Sequence, residues 1–296
     1  MAAYSIRDLE VLTGIKAHTI RIWEKRYCIM EPQRTDSNIR YYTDLDLKWL
    51  LNISLLYRHG LKISNIACMN IEEINDKIME FTRNPLNEDS QIDSLIIAMI
   101  NLNEIQFEEV LSKSTNTIGF EDTVVKILYP FFIKIGILWQ INSINPAQEH
   151  FVSNIIRQKL IVSIHGLKTN RRKDSKKFIL FLPEGELHEL GMLFNYYLIK
   201  NNGHEVIYLG QSVPFDDLIE VTKIREHHYL LTSITSGLSE NELKSYINKI
   251  SLQFPKKKIL VSGPLITKYN FPISRNIVKI LSITDFKRVL DKISNN

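Results

Sequence analysis

From residue 178 onward, short apolar runs alternate with helical patterns, and this alternation constrains the fold more than any other feature of the chain. The runs are "FILFL", "EVIYL", "YLLTSI", "KILVSG" and "IVKIL". Between them, apolar spacing suits helices at 188–201, 215–226, 238–252 and 265–275, with a last one at 284–293. Strands alternating with helices imply a parallel sheet covered on both faces. The runs are near-continuous Ile, Leu and Val, as doubly buried strands require. Residues 177–296 therefore read as an α/β domain.

The stretch before it follows a helical period and almost lacks glycine. Helices are expected at 90–101, 104–115, 120–143 and 146–167, and four helices with short connections make a bundle, here over residues 76–170. The basic run "KTNRRKDSKK" between the two reads as a solvated linker.

Residues 1–75 form a third segment. "SIRDLEVLTG" has Ile6, Leu9 and Leu12 at helical spacing and stops at Gly14, and "KAHTIRIWEKRY" follows almost at once. Helix, tight turn and second helix make a helix-turn-helix. "IMEPQRTDSNIRYYT" then holds turn residues and a β-prone end, a small hairpin or wing. "DLDLKWLLNISLLYRHG" is a further helix, capped near Thr43 or Asp44 and stopped at Gly60. The second helix offers Lys16, His18, Thr19, Arg21, Lys25 and Arg26; the wing adds Arg34, Arg40 and Tyr41. Such a helix presents its N-terminal residues to base edges and its basic side chains to phosphates. Glu10, Glu24, Glu31 and Asp36 offset part of that charge, while Ile6, Leu9, Ile20 and Trp23 suit the core.

A chain of 296 residues has room for three such domains. The net charge of +4 is by itself weak evidence for a nucleic-acid partner. Two cysteines, Cys28 and Cys68, can make neither a disulfide framework nor a four-ligand zinc site, and they suit free thiols in a reducing compartment. The longest apolar stretch, "VVKILYPFFIKIGILW", is broken by Lys126, Pro130 and Lys134, so no membrane span is expected. A cytoplasmic protein is the resulting expectation.

The turn after the first strand of the α/β domain, "PEGELHELG", carries Glu186, His188 and Gly191 where phosphate binders are glycine-rich. An exposed histidine at a helix start is commonplace. As a metal ligand, His188 would have Glu186 to accept from its other ring nitrogen, which fixes the tautomer and makes the ligand more basic. Gly191 would let the helix start approach something bulky. No second donor stands at zinc spacing. A metal that brings its own macrocycle needs only one axial ligand, which leaves a corrin or a haem.

Three resemblances join these observations. "YSIRDLEVLTGIKAHTIRIWEKRY", the Pro-x-Arg of the wing and "IRYYTDLDL" resemble the winged helix-turn-helix of MerR-type transcription regulators, which implies binding to double-stranded operator DNA. Glu186-x-His188-x-x-Gly191, then Ser233-Ile234-Thr235, then Gly263-Pro264 resemble the pattern of cobalamin-binding domains. That second resemblance implies a flavodoxin-like, Rossmann-type sheet, His188 as the lower cobalt ligand, and a displaced nucleotide tail lined near Ser233, Thr235 and Gly263. Trp139 followed by Glu149-His150 resembles the signature of the CarH/LitR-type light-dependent repressors, in which the bundle covers the upper face of adenosylcobalamin. The resemblance implies packing of Trp139, Glu149 and His150 on that face, a cofactor-dependent dimer or tetramer, and release by light.

Three residues depart from those patterns. Thr235 stands for a usual leucine, Pro264 for the second glycine, and Gln140 for the histidine that follows the tryptophan. They motivate a rival reading, a MerR-type repressor with a drifted pocket that acts without cobalamin or light. A corrinoid methyl carrier is the other rival, since carriers share the bundle and α/β pair but need no operator contacts.

Overall fold

The computed structural model describes residues 4–35, 38–58, 60–82, 88–140, 144–167, 172–269 and 274–295; of residues 75, 78–82 and 137–140 only the backbone is described. The chain divides into two compact units, Met1–Ile155 and Ile156–Asn296.

The first unit starts with α1 (Ile6–Thr13) and α2 (Ala17–Tyr27). Ser5 caps α1 in a reciprocal box with Asp8. The helix ends at Gly14, whose φ of 72° lies in the left-handed region that glycine enters without penalty. Glu10 reaches across the turn and accepts from the Ala17 amide at 3.1 Å, so an acid on α1 caps α2. The wing pairs β1 (Gln33–Arg34) with β2 (Arg40–Tyr41). Behind it lies α3 (Asp44–Arg58), started by Thr43, whose hydroxyl accepts from the Asp46 amide. Leu9, Leu12, Ile20, Trp23, Leu47 and Leu50 are buried, while Ile6 is half-buried.

Next come α4 (Ile63–Ile66) and α5 (Ile71–Thr82). The sequence reading did not foresee α5, although Asn70 and Glu73 form a reciprocal cap at its start, a signature readable at three-residue spacing. Then follow α6 (Glu88–Ile100), α7 (Glu104–Ile118) and α8 (Phe120–Thr123). The chain continues through a π-helical turn, Val124–Leu128, into α9 (Tyr129–Gln140). The helix expected at 120–143 is thus interrupted by a wider turn; its residues 141–143 lie outside the described ones. Every residue of α6 from Ser90 to Met99 is buried, as befits a helix at the centre of its unit. Helix α10 (Pro146–Gly166) runs across the division between the units.

In the second unit, β3 (Lys177–Phe181), β4 (Glu205–Tyr208), β5 (Tyr229–Ser233), β6 (Lys258–Ser262) and β7 (Ile277–Lys279) form one parallel sheet in the order β4-β3-β5-β6-β7. Counted within the unit this is 2-1-3-4-5, the flavodoxin-like order. Ile179 pairs with Ile207 on one side and Leu230 on the other. The connecting helices are α11 (Leu190–Asn201), α12 (Phe215–Ile224), α13 (Glu240–Gln253), α14 (Pro264–Lys268) and α15 (Ile283–Ser294). Leu218, Leu243, Ile247 and Ile250 cluster with Ile179, Phe181, Leu230, Ile259 and Val261 on one face of the sheet. Phe178, Leu180, Leu231 and Leu260, of the opposite parity, are buried as well, so both faces are covered.

Two local expectations change. The helix expected at 265–275 spans only Pro264–Lys268, and Tyr269 is already extended; residues 270–273 lie outside the described ones. Residues 168–171 of the basic run lie outside the described ones; residues 172–174 are exposed, as expected, yet the segment is tied to the α/β unit. Arg172 donates to the Ser294 carbonyl at 2.7 Å, and the Lys176 amide donates to His204 Nδ1 at 3.3 Å. Among the described residues, no helix is long and apolar enough to cross a membrane.

Candidate functional site

Two surfaces collect the singled-out residues. The first is α2 with its wing. Lys16, His18, Arg21, Lys25 and Arg26 are exposed along α2, as are Arg34 and Arg40 on the wing; Thr19 and Tyr41 are half-exposed. Ile20 and Trp23 take the opposite side of the helix, inward. Two of the acids counted against this surface, Glu24 and Glu10, are engaged within the chain. Glu24 accepts from the Tyr42 hydroxyl at 2.6 Å, and Glu10 is engaged by Lys16 at 3.0 Å as well as by the Ala17 amide. Asp36 lies outside the described residues. Arg34 is held at the wing tip by the Asn38 side chain at 2.7 Å.

The second surface lies at the carboxyl ends of β3 and β5. There the strand order reverses: β4 follows β3 in the chain and lies on one side of it, while β5 lies on the other. In open α/β sheets, ligands bind in the crevice at that switch point. The loop after β3 carries Glu186 and His188, and the loop after β5 carries Thr235 and Ser236.

Glu186 ties the two loops together. It is almost fully buried, at 4% exposure. Its Oε1 accepts from the His188 amide at 3.0 Å and lies 2.6 Å from His188 Nδ1. Its Oε2 accepts from the Thr235 amide at 2.6 Å and the Ser236 amide at 3.2 Å. Burial opposes ionisation, yet the donors outweigh it: the His188 amide, the Thr235 amide, the His188 ring and the Ser236 amide together hold the carboxyl below its usual range. An ionised carboxylate only accepts, so Nδ1 is the donor, and in the neutral ring this tautomer places the lone pair on Nε2. The His188 side chain is 61% exposed. The chain thus presents one oriented, basic imidazole nitrogen to the outside.

The surroundings suit a bulky partner. A Cβ at Gly191, in the first turn of α11, would meet no atom of the chain within 4 Å. Leu187 beside the histidine is an exposed apolar side chain. Ser233 and Ser262 stand small and side by side at the ends of β5 and β6. Gly263 has a φ of 106° and lies against the Ile234 backbone, where no side chain fits. Pro264 opens α14 at its first position, which suits proline because that amide needs no helical partner. Thr235 contributes its amide to Glu186, a role that any non-proline side chain permits. Among the described residues, no three His, Cys, Asp or Glu groups converge as a metal cage would require. The donor set fits a metal with its own equatorial ligands and does not fit a bare zinc ion.

A second carboxylate, missed in the sequence, braces this loop. Glu189 is buried next to the exposed His188; it accepts from Arg157 Nε on α10 and from the Tyr208 hydroxyl on β4 at 2.6 Å. Its partners lie 32 and 19 residues away in the chain, so no local spacing marks them.

In the first unit, Glu149 lies in the first turn of α10 and His150 follows it. Glu149 accepts from Ser153 at 2.6 Å and faces His150 Nδ1 at 3.1 Å, and His150 is exposed. Trp139 and Gln140 are the last two residues of α9; their side chains lie outside the described ones.

Residues 4–69 match the MerR HTH family regulatory protein, and residues 91–162, which make up α6 to most of α10, match the B12 binding domain. The chain is 24% identical over 259 residues to the HTH-type transcriptional repressor CarH of Myxococcus xanthus, covering 86% of each protein. It is also 24% identical over 217 residues to the repressor CarA of the same organism, across 71% of this chain and 68% of the relative. Among solved structures, the monomethylamine corrinoid protein of Methanosarcina barkeri aligns with 74% of this chain and 99% of its own, with a TM-score of 0.55 and 18% identity. That likeness speaks for the fold.

Proposed function

We propose that this chain, which joins a MerR-type helix-turn-helix to a B12-binding domain, is a transcriptional repressor whose operator binding responds to adenosylcobalamin held through His188. The observation that carries the cofactor reading is the Glu186–His188 pair: a buried carboxylate 2.6 Å from Nδ1, with Nε2 left to an exposed ring at the switch point of the sheet. Glu186 orients the ring, keeps its tautomer and strengthens Nε2 as a donor. Ser233, Ser262 and Gly263 keep the strand ends narrow, as a nucleotide tail beside the sheet requires. Gly191 and Leu187 offer a flat, apolar approach. Trp139, Glu149 and His150 belong to the proposal as further cofactor contacts, on their resemblance alone. Three modules follow: 1–75 for DNA, 76–170 for the upper ligand and 177–296 for the lower.

Adenosylcobalamin, when bound, supplies a cobalt–carbon bond that light can break. Operator binding would rise with assembly into a dimer or tetramer, because linked DNA-binding modules gain affinity by effective concentration. Such coupling requires the cofactor to bind the assembled state better than the free chain. Arg21, Lys25 and Arg26 of α2, with Arg34 and Arg40 of the wing, would contact DNA; Gln140 would supply no strong ligand after photolysis.

The test is the absorption spectrum of the full chain after incubation with adenosylcobalamin in the dark and gel filtration, beside His188→Ala. Corrin bands that stay with the native chain and change in the variant support the reading. A native chain that elutes free of corrin would sink it in favour of the cobalamin-independent repressor.

A further inference from the structure

Beyond Glu186 and Glu189, the structure holds a third buried carboxylate, which the proposed site does not use. Asp93, in the middle of α6, has a side chain with no exposure at all. Arg58 Nη2 from the end of α3 lies 2.5 Å from one of its oxygens, and Lys134 Nζ from α9 lies 2.8 Å from the other. The same Arg58 nitrogen donates to the Thr13 carbonyl at 3.3 Å and the Ser54 hydroxyl at 3.1 Å. Thr13 is the last residue of α1, directly before the Gly14 turn that leads into α2.

This is an expensive way to join helices. Burial works to raise the Asp93 carboxyl's pKa, against the pull of Lys134 and Arg58. Apolar residues of like shape usually hold a core as well as a buried ion cluster does, while removal of one member is costly. The best-attested use of such a cluster is to specify one arrangement over another. Here the arrangement concerns α9, α6 and the winged helix. One oxygen of Asp93 serves α9, and the other serves the DNA-binding segment. Lys134 lies on the same helix as Trp139, the proposed cofactor contact.

We propose that Asp93 is a positioning junction: it makes the placement of α9 felt at the Thr13–Gly14 turn, and so at the recognition helix α2. A shift of α9 must either break the Lys134–Asp93 pair or carry Asp93 with it. In either case Arg58 changes its hold on Asp93 and Thr13. This names a regulatory route within the proposed regulator and rests on that reading for its signal; the route itself rests on the ion cluster.

The experiment uses the full chain in four forms: native, Lys134→Met, Asp93→Asn, and the triple variant Arg58→Met/Asp93→Leu/Lys134→Met. Hydrogen exchange is first measured without corrin at the Gly14 and Ile15 amides, with the Leu231 and Leu260 amides of the sheet as internal reference. Both single variants should raise exchange at Gly14 and Ile15 by about tenfold, the order of coupling within one ion network, and leave the reference unchanged. No rise in Lys134→Met overturns the proposal, because Asp93 would then serve the winged helix alone.

The second readout is affinity for a duplex selected from random sequence by the native chain, with and without adenosylcobalamin. The triple variant, whose apolar cluster should keep or raise the melting temperature, should lose the cofactor's effect on affinity. A triple variant that keeps the full effect overturns the junction. If the native chain shows no such effect, the cobalamin-regulator reading fails, and the exchange comparison still decides the junction by itself.

Discussion

Gly263 lies against the backbone of Ile234: a Cβ there would stand 2.8 Å from both its carbonyl carbon and its amide nitrogen, and nearer still to its carbonyl oxygen. The loops after β5 and β6 touch at this point without any side chain between them. The Leu265 amide donates to the Ile234 carbonyl at 3.3 Å, and the Ile234 amide to the Ser262 carbonyl at 2.9 Å. Gly263→Ala adds a clash with backbone to the strain of a φ of 106°. It should cost about 2–4 kcal/mol of stability in the α/β unit, read as a lower urea midpoint at unchanged slope.

Glu186→Gln keeps the shape and removes the charge. An amide has one accepting oxygen where Glu186 uses two, so either the His188 contacts or the Thr235 and Ser236 amides lose their partner. Corrin affinity should fall about 10–100-fold, the usual cost of losing a carboxylate behind a ligating histidine, measured by spectral titration. A variant that binds as tightly as the native chain would show that the carboxylate does not tune the ligand. The carboxyl sits below its ordinary 4.5, so its contribution to stability is full at neutral pH and disappears as acid takes the solution through the lower folded value.

Tyr208→Phe removes one donor from the buried Glu189 and leaves the Arg157 contact in place. The variant should lose about 1–2 kcal/mol in chemical denaturation, because an accepting charge loses a donor and gains no water. Arg157→Lys, which keeps a charge but not the planar fork, should lose a similar amount.

Two buried histidines make the α/β unit acid-sensitive near neutrality. Burial pushes His204 and His227 below 6.5, with the Arg172 charge adding to the effect at His204 and a hydrogen bond to the Arg225 carbonyl opposing it at His227. As pH falls through 6.5, the unfolded chain takes up protons that the folded chain refuses. Stability should therefore be flat above about pH 7.5 and fall below pH 6.5 by up to about 1.4 kcal/mol per pH unit for each histidine, until the folded values are reached. Urea midpoints measured from about pH 7.5 to about pH 5.5 check this, and His204→Gln should flatten part of the slope.

Arg21→Ala should weaken operator binding and lower the salt slope by about one if it meets a phosphate, or relax the preference at a single base pair if it meets a base edge. Corrin spectra should not change, since Arg21 lies on α2, in a different unit from His188.

The elements that could be read from the chain are those whose signal is local. The five strands appeared as apolar runs because doubly buried strands need no polar alternation. Helix α1 showed its glycine stop, and α3 its Thr43 start. The π-turn at Val124–Leu128 did not show, because one widened turn barely alters an apolar pattern. Helix α5 was missed although its cap was visible at Asn70 and Glu73.

By itself, the sequence determined which residues could do chemistry: His188 beside Glu186 at two-residue spacing, and the basic row on α2. Tertiary structure alone decided what surrounds them. That Glu186 also binds the amides of Thr235 and Ser236, 49 and 50 residues on, follows from β5 lying beside β3. In "SQIDSLIIAMI", Asp93 is one acid among apolar residues and would be assigned to solvent. Its burial is tolerable only because Arg58 and Lys134, 35 and 41 residues away, arrive at the same carboxylate. Periodicity records which face of a helix is apolar. It carries no record of the distant charges that make a buried acid stable, because those are brought together only when the helices pack.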